Sequence, residues 1–214
     1  MPDSTFRVRV RGEIACFTRP EFSTERVSYE LMTPSSARGV LEAILWKPAI
    51  RWEIHSIALL NPVRWIEFRR NEVNSRVSTR DAASAALHGG TFREFYADED
   101  RAQRNTLALR DVDYLVEASI RMTTRAGAED NPSKFHDIFT RRLLRGQQHF
   151  QPYLGCREFP AWVEPGEGAP NPRDETRILG LMLHDIAFGP KNEGRFFEAR
   201  LEHGVMRVPE WKAS

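Results

Sequence analysis

Apolar and basic side chains alternate from Phe6 to Arg11, the period of two that marks a half-buried strand. Its polar face would carry Arg7, Arg9 and Arg11. Residues 18–32 are polar with isolated aromatics and suggest a loop or irregular strand. A helix follows. Thr33 or Ser35 is its N-cap, Pro34 fits the first turn, and Ala37, Val40, Leu41, Ile44 and Leu45 share one side. Pro48 puts the helix end near Trp46 or Lys47. IRWEIHSIALLNPVRWIEFRR then reads as a strand, a turn at Asn61 and Pro62, and a second strand, with His55 expected as an exposed strand residue.

The pattern fades from Asn71, and a loop with room for a short helix is expected as an insertion around 71–100. Asp98, Glu99 and Asp100 read as a solvated turn, because three successive acids do not converge on one ion in an extended chain. Asp113 to Met122 is the best strand of the next stretch. The most legible helix comes after it, with Asn131 as N-cap, Pro132 in the first turn and Gly146 as the stop. Phe135, Ile138, Phe139 and Leu143 form its core face, and Lys134, Arg141 and Arg145 line a basic one. Tyr153 to Phe159 is expected as a strand. A proline- and glycine-rich linker, a strand over LGLMLHDIAF and a small adjunct, FFEARLEHGVMRVPEW, complete the chain.

Leaving out the insertion, the order is strand, helix, strand, strand, helix, strand. That order predicts an α+β fold: a ferredoxin-like (RRM-like) β-α-β-β-α-β domain with a small C-terminal β-rich extension. The expected division is 1–160 for the ferredoxin-like domain and 161–214 for the linker and β-rich region. Both helices would cover one face of the sheet and leave the other for the adjunct or for RNA.

With 214 residues, 41% of them hydrophobic, the chain can bury a real core. No run is long and apolar enough to cross a bilayer, and the N-terminus lacks the apolar centre of a secretory signal, so a cytoplasmic protein without a membrane partner is expected. The net charge of +1, from 31 basic and 30 acidic residues, neither selects nor excludes nucleic acid, which responds to where charge gathers. Cys16 and Cys156 are expected to be buried free thiols. Dinucleotide, P-loop, zincin and GxSxG motifs are absent, and no metal or other cofactor is expected.

Phosphodiester chemistry on RNA fits the residues that remain. The 2′-hydroxyl already lies next to the phosphate it would attack, so a protein must orient the atoms, move two protons and stabilise charge on the phosphate. Histidine can carry the proton near neutral pH, and lysine can stabilise phosphate as a compact charge. Lys134 and His136 have those types at the start of the basic helix, although two positions on a regular helix point about 160–200° apart. RNA crossing the helix end would bring them together with free backbone N–H groups. Arg141, Arg142 and Arg145 suit phosphate holding, His149 is a loop alternative for proton transfer, and Trp46 could stack a base.

SSARGVLEAILWKPAIRW, RAQRNTLALRDVDY, NPSKFHDIFTRRLLRGQQHFQPYLGCREF and LGLMLHDIAF resemble segments of the CRISPR-associated Cas-five family of subtype I-C, in the RAMP group of RNA-binding proteins. The resemblance runs through nearly the whole chain. It implies metal-independent cleavage of precursor CRISPR RNA at the 3′ base of the repeat hairpin by 2′-hydroxyl attack. It also implies retention of the 5′ handle among other subunits of a type I-C interference complex. By motif, Lys134 matches the family lysine, Leu45 occupies the family's tyrosine position, and Phe135 occupies its histidine position, with His136 one residue further on. The expected catalytic residues are therefore Lys134 and His136. The expected RNA contacts are Arg7, Arg9, Arg11, Trp46, Lys47, Arg104, Arg141, Arg142 and Arg145. Two other readings remain: a non-catalytic RNA-binding subunit of that complex, and an architectural protein that binds duplex DNA.

Overall fold

A computed structural model describes residues 5–22, 24–76, 78–89, 96–187 and 192–210. The first strand, β1 (Phe6–Ala15), buries Phe6, Val8 and Val10 and turns Arg7, Arg9 and Arg11 to the other face, as the alternation requires. A two-residue strand, β2 (Arg26–Val27), precedes helix α1 (Pro34–Ile44). The Thr33 side chain accepts the Ser36 N–H at the start of α1, which buries Ala37, Val40, Leu41 and Ile44. Strands β3 (Ile50–Leu59) and β4 (Trp65–Val73) follow, then α2 (Thr79–His88) and the long β5 (Arg101–Met122). The second core helix is α3 (Pro132–Leu144), and β6 (Trp162–Pro165), β7 (Arg177–Ala187), β8 (Glu193–Leu201) and β9 (Val205–Arg207) end the order.

The main sheet runs β6-β1-β5-β3-β9, and each neighbouring pair is antiparallel. Taken as the four strands of a β-α-β-β-α-β unit, β1, β3, β5 and β6 stand in the order 4-1-3-2, the ferredoxin-like arrangement. Two helices on one face of such a sheet need a shared apolar layer. Here its centre is Phe6, Trp52 and Phe139, whose ring centroids lie 4.6–5.4 Å apart in edge-to-face contacts.

β5 is much longer than the 113–122 expected. Its C-terminal half lies between β1 and β3, while Arg101–Leu109 pairs with β4 and, at Thr106 and Leu107, with β2, which extends the sheet as an arm. β3 and β4 are thus not partners of each other across the Asn61–Pro62 turn: both pair with β5. The arm carries α2, which has no buried residue among those described; part of the insertion expected around 71–100, residues 77 and 90–95, lies outside the described residues.

One strand moves. Tyr153–Phe159 forms turns, with a single bridge from Tyr153 to Pro160, and the fourth ferredoxin strand is β6, inside the stretch expected as linker. Gly155 explains the turn. It has φ of 81°, and a Cβ there would lie 2.0 Å from the Cys16 carbonyl oxygen, so this backbone crosses the end of β1 rather than pairing along it. β7 and β8 form a separate hairpin sheet, as the strand over LGLMLHDIAF predicts up to Ala187; Phe188 and Trp211 lie outside the described residues. Arg38 ties this hairpin to α1 through two bonds to Asp185, each 2.9 Å.

Candidate active site

The first turn of α3 is fixed by Asn131, whose side-chain oxygen accepts the Lys134 N–H at 2.9 Å. Three consecutive side chains then diverge. Phe135 enters the core, 3% exposed. The Lys134 ammonium donates to Asp130 Oδ1 at 2.9 Å, and Asp130 also accepts the Gly127 N–H at 3.0 Å. The Lys134 hydrogen bond, the Gly127 N–H and the nearby Lys47 charge hold the Asp130 carboxyl below the usual range. His136 lies ring on ring against Phe6, centroids 4.7 Å and planes 23° apart.

A cavity of about 860 Å³ opens beside His136. Its walls come from the starts of α1 and α3, from β3, β5 and β7, and from residues 208–210. Three imidazoles line it. His55 sits where the β3–β5 register slips between Ile54 and Ser56, and its Nε2 is 2.7 Å from Ser119 Oγ. Such a bulge re-aims a side chain. His184 Nε2–H donates to the Pro209 carbonyl at 2.8 Å. Arg38 is held by Asp185 and by Glu42, at 2.8 and 2.9 Å for the latter. Burial works to lower its pKa, and these carboxylates outweigh that, so the guanidinium keeps its charge. Arg51 and Arg121 also line the cavity. Imidazoles, which can carry a proton, thus meet guanidiniums able to hold phosphate oxygens.

The residues expected from the sequence fall in separate places. His136 lines the cavity; Lys134 is on the Asp130 flank of the same helix end, near Lys47. Leu45 is fully buried, whereas Trp46 beside it is 57% exposed and Lys47 is exposed. Arg142 donates to the Ile44 carbonyl at 2.7 Å and so caps α1, and Arg141 and Arg145 are exposed. His149 approaches the same helix end through its backbone, whose N–H donates to the Ala43 carbonyl at 2.7 Å. Arg104 belongs to the arm and donates to Thr24 O and Asn74 Oδ1. The row on β1 faces away from the helices and is paired: Arg7 with Glu117, Arg9 with Asp113 and Glu164, and Arg11 with Glu164. Among the described residues, no group of three or more His, Cys, Asp or Glu is arranged to hold a metal ion.

Arg38, Arg51, Arg121 and His184 did not stand out in the sequence as site residues, and His55 read only as an exposed strand position. Local spacing carries no trace of their convergence, because a β-bulge and the docking of β7 on α1 create it.

The 4-1-3-2 antiparallel sheet with its helices on one face defines a ferredoxin-like α+β protein. Over residues 5–209 the sequence matches the family model described as CRISPR-associated protein (Cas_Cas5), and the chain belongs to that family. It is 43% identical over 216 residues to the CRISPR pre-crRNA endoribonuclease Cas5d of Mannheimia succiniciproducens, covering 97% of this chain and 96% of the relative. It is 41% identical over 225 residues to the protein of the same name from Thermus thermophilus, covering 96% and 92%. Among solved structures, a CRISPR-associated protein superposes with TM-score 0.71 at 21% identity, over 97% of this chain and 93% of that one. A functionally uncharacterized protein from Streptococcus mutans gives TM-score 0.69 at 21% identity, with the same coverage. These two likenesses bear on the fold.

Proposed function

We propose that this protein is a CRISPR pre-crRNA endoribonuclease that cuts repeat RNA once, without a metal ion, at the 3′ base of the hairpin. The observation that carries the reading is identity of 43% and 41% to two proteins of that named activity, over 97% and 96% of the chain. In this reading the scissile phosphate rests at the end of α3, between the flank of Lys134 and the cavity of His136. His136 takes the proton of the 2′-hydroxyl as its oxygen bonds to phosphorus. Lys134, exchanging Asp130 for the phosphate, stabilises the charge that develops. The bond to the 5′-oxygen breaks, and that oxygen receives a proton from a second group of the cavity, for which His55 is available. The products are a 2′,3′-cyclic phosphate and a 5′-hydroxyl. We further place the product in a type I-C interference complex in the cytoplasm, with the protein retaining the 5′ handle.

The test is cleavage of repeat RNA in chelator with both product ends mapped, beside a substrate carrying 2′-deoxyribose at the scissile nucleotide. Cleavage of the first and binding without cleavage of the second is expected. Strict metal dependence, or cleavage of the deoxy substrate, overturns the mechanism.

A non-catalytic RNA-binding role has one observation in its favour: Leu45 and Phe135 are buried apolar side chains, 0% and 3% exposed. Repeat RNA bound but never cut by the wild-type protein would establish that role. Binding to duplex DNA as strong and as salt-dependent as to repeat RNA would point to an architectural one.

A further inference from the structure

Cys16 and Cys156, 140 positions apart in the chain, meet in the core. The Cys16 N–H donates to the Leu154 carbonyl at 3.0 Å, and Cys156 Sγ lies 3.8 Å from the Cys16 carbonyl oxygen. Gly155, between Leu154 and Cys156, makes the close approach possible. Cys16 Sγ lies 3.8 Å from the Thr18 hydroxyl. Cys16 is fully buried, and Cys156 keeps 8% of its surface exposed.

The surroundings of the two sulfurs differ. Arg26 Nη1 lies 3.3 Å from Cys156 Sγ. Arg26 and Arg70 bind Glu72 and Glu158, and Arg104 reaches Glu72, so three guanidiniums face two carboxylates and one positive charge remains for the sulfur. Contact with Cys16 draws the Cys156 thiol below its usual pKa; burial opposes this, and Arg26 and Arg70 add to the pull. For Cys16 the contact with Cys156 and burial both push the pKa up, against the Thr18 hydroxyl and Arg26. Cys156 thus has a guanidinium beside its sulfur and Cys16 a hydroxyl, an asymmetry that suits an attacking thiolate at Cys156 and a resolving thiol at Cys16.

We propose that Cys156 and Cys16 form an oxidation-sensitive pair, with Cys156 the site that reduces a hydroperoxide and Cys16 the thiol that resolves it. The Cys156 thiolate attacks one peroxide oxygen. The O–O bond breaks, leaving a sulfenic acid on Cys156 and releasing water or an alcohol once the leaving oxygen takes a proton. Cys16 sulfur, losing its proton, then attacks Cys156 sulfur, the S–S bond forms, and the sulfenic oxygen departs as water. Two electrons pass from the thiols to the peroxide. The disulfide removes the negative charge opposite Arg26, at the seam where the β4–β5 arm meets the 154–159 turn.

The experiment treats the reduced full-length protein with hydrogen peroxide and follows free thiols, intact mass and non-reducing electrophoresis. Loss of both thiols and of the mass of two hydrogens, in a monomer, is expected. The oxidation rate should inflect below the ordinary thiol pKa of about 8.5. Cys16→Ser should accumulate a sulfenic acid that dimedone traps on Cys156, and Cys156→Ser should resist oxidation. Thiols that react only after denaturation, a dimer linked between chains, or Cys156→Ser oxidising at Cys16 as fast as the wild type would each overturn the proposal. The wild-type thiol count decides even if a variant fails to fold.

Discussion

The imidazole of His136 stacks on the ring of Phe6, 4.7 Å between centroids, and fastens the first turn of α3 to the first residue of β1. The ring is thereby held at the wall of the cavity, while Lys134, two residues earlier, turns to Asp130. The two groups best suited to phosphodiester chemistry flank one helix end.

His136→Ala should therefore slow cleavage by about 10²–10⁴-fold, the usual contribution of a positioned acid–base group. Repeat-RNA affinity should change by only a few-fold. Single-turnover cleavage and a separate filter-binding measurement check the two effects, and cutting at the wild-type rate would remove His136 from the mechanism.

Asp130→Asn should strengthen RNA binding and steepen its salt dependence, because it frees the Lys134 ammonium for phosphate. Fluorescence anisotropy across a salt series reads this, and unchanged affinity and slope would place Lys134 away from the RNA path.

The Asp130 carboxyl titrates below the usual value of about 3.9, with the Lys134 hydrogen bond the leading cause. A folded pKa lower than the unfolded one contributes stability above the unfolded value and loses it as pH falls through the folded one. The contact should be intact at neutral pH and released only in acid. Carbon-13 NMR of the carboxyl should show a midpoint that rises on Lys134→Ala.

Arg38→Met removes the guanidinium that Asp185 and Glu42 share. Loss of one partner of a fully buried pair costs about 3–5 kcal/mol, and partial exposure here puts the expected loss at about 1–3 kcal/mol. Urea unfolding should show a lower midpoint with unchanged slope.

Gly155→Ala should destabilise the protein by more than about 1 kcal/mol, since the new Cβ meets the Cys16 carbonyl and the φ of 81° disfavours a side chain. A fall in the thermal midpoint checks it.

Helix positions were legible to within a few residues. Caps and apolar spacing are local physics: Asn131 and Thr33 cap where their side chains reach N–H groups three residues on. The fourth sheet strand was not legible. Tyr153–Phe159 has strand-like composition, but Gly155 must cross the Cys16 backbone, and β6 forms in a stretch that its prolines and glycines disguise. The arginine row on β1 was read correctly as one face of a strand. The carboxylates opposite it come from β5 and β6, strands distant in the chain.

By itself, then, the sequence determined the two core helices, which face of β1 and α3 is apolar, and, through four matching segments, the family. Those properties depend on neighbours within a turn or on letters in order. Tertiary structure alone decided that His55 and His184 join the cavity of His136 and that Cys16 meets Cys156. Each of these depends on a register slip, a helix docking or a chain crossing between residues far apart in sequence, and no local period records such distances.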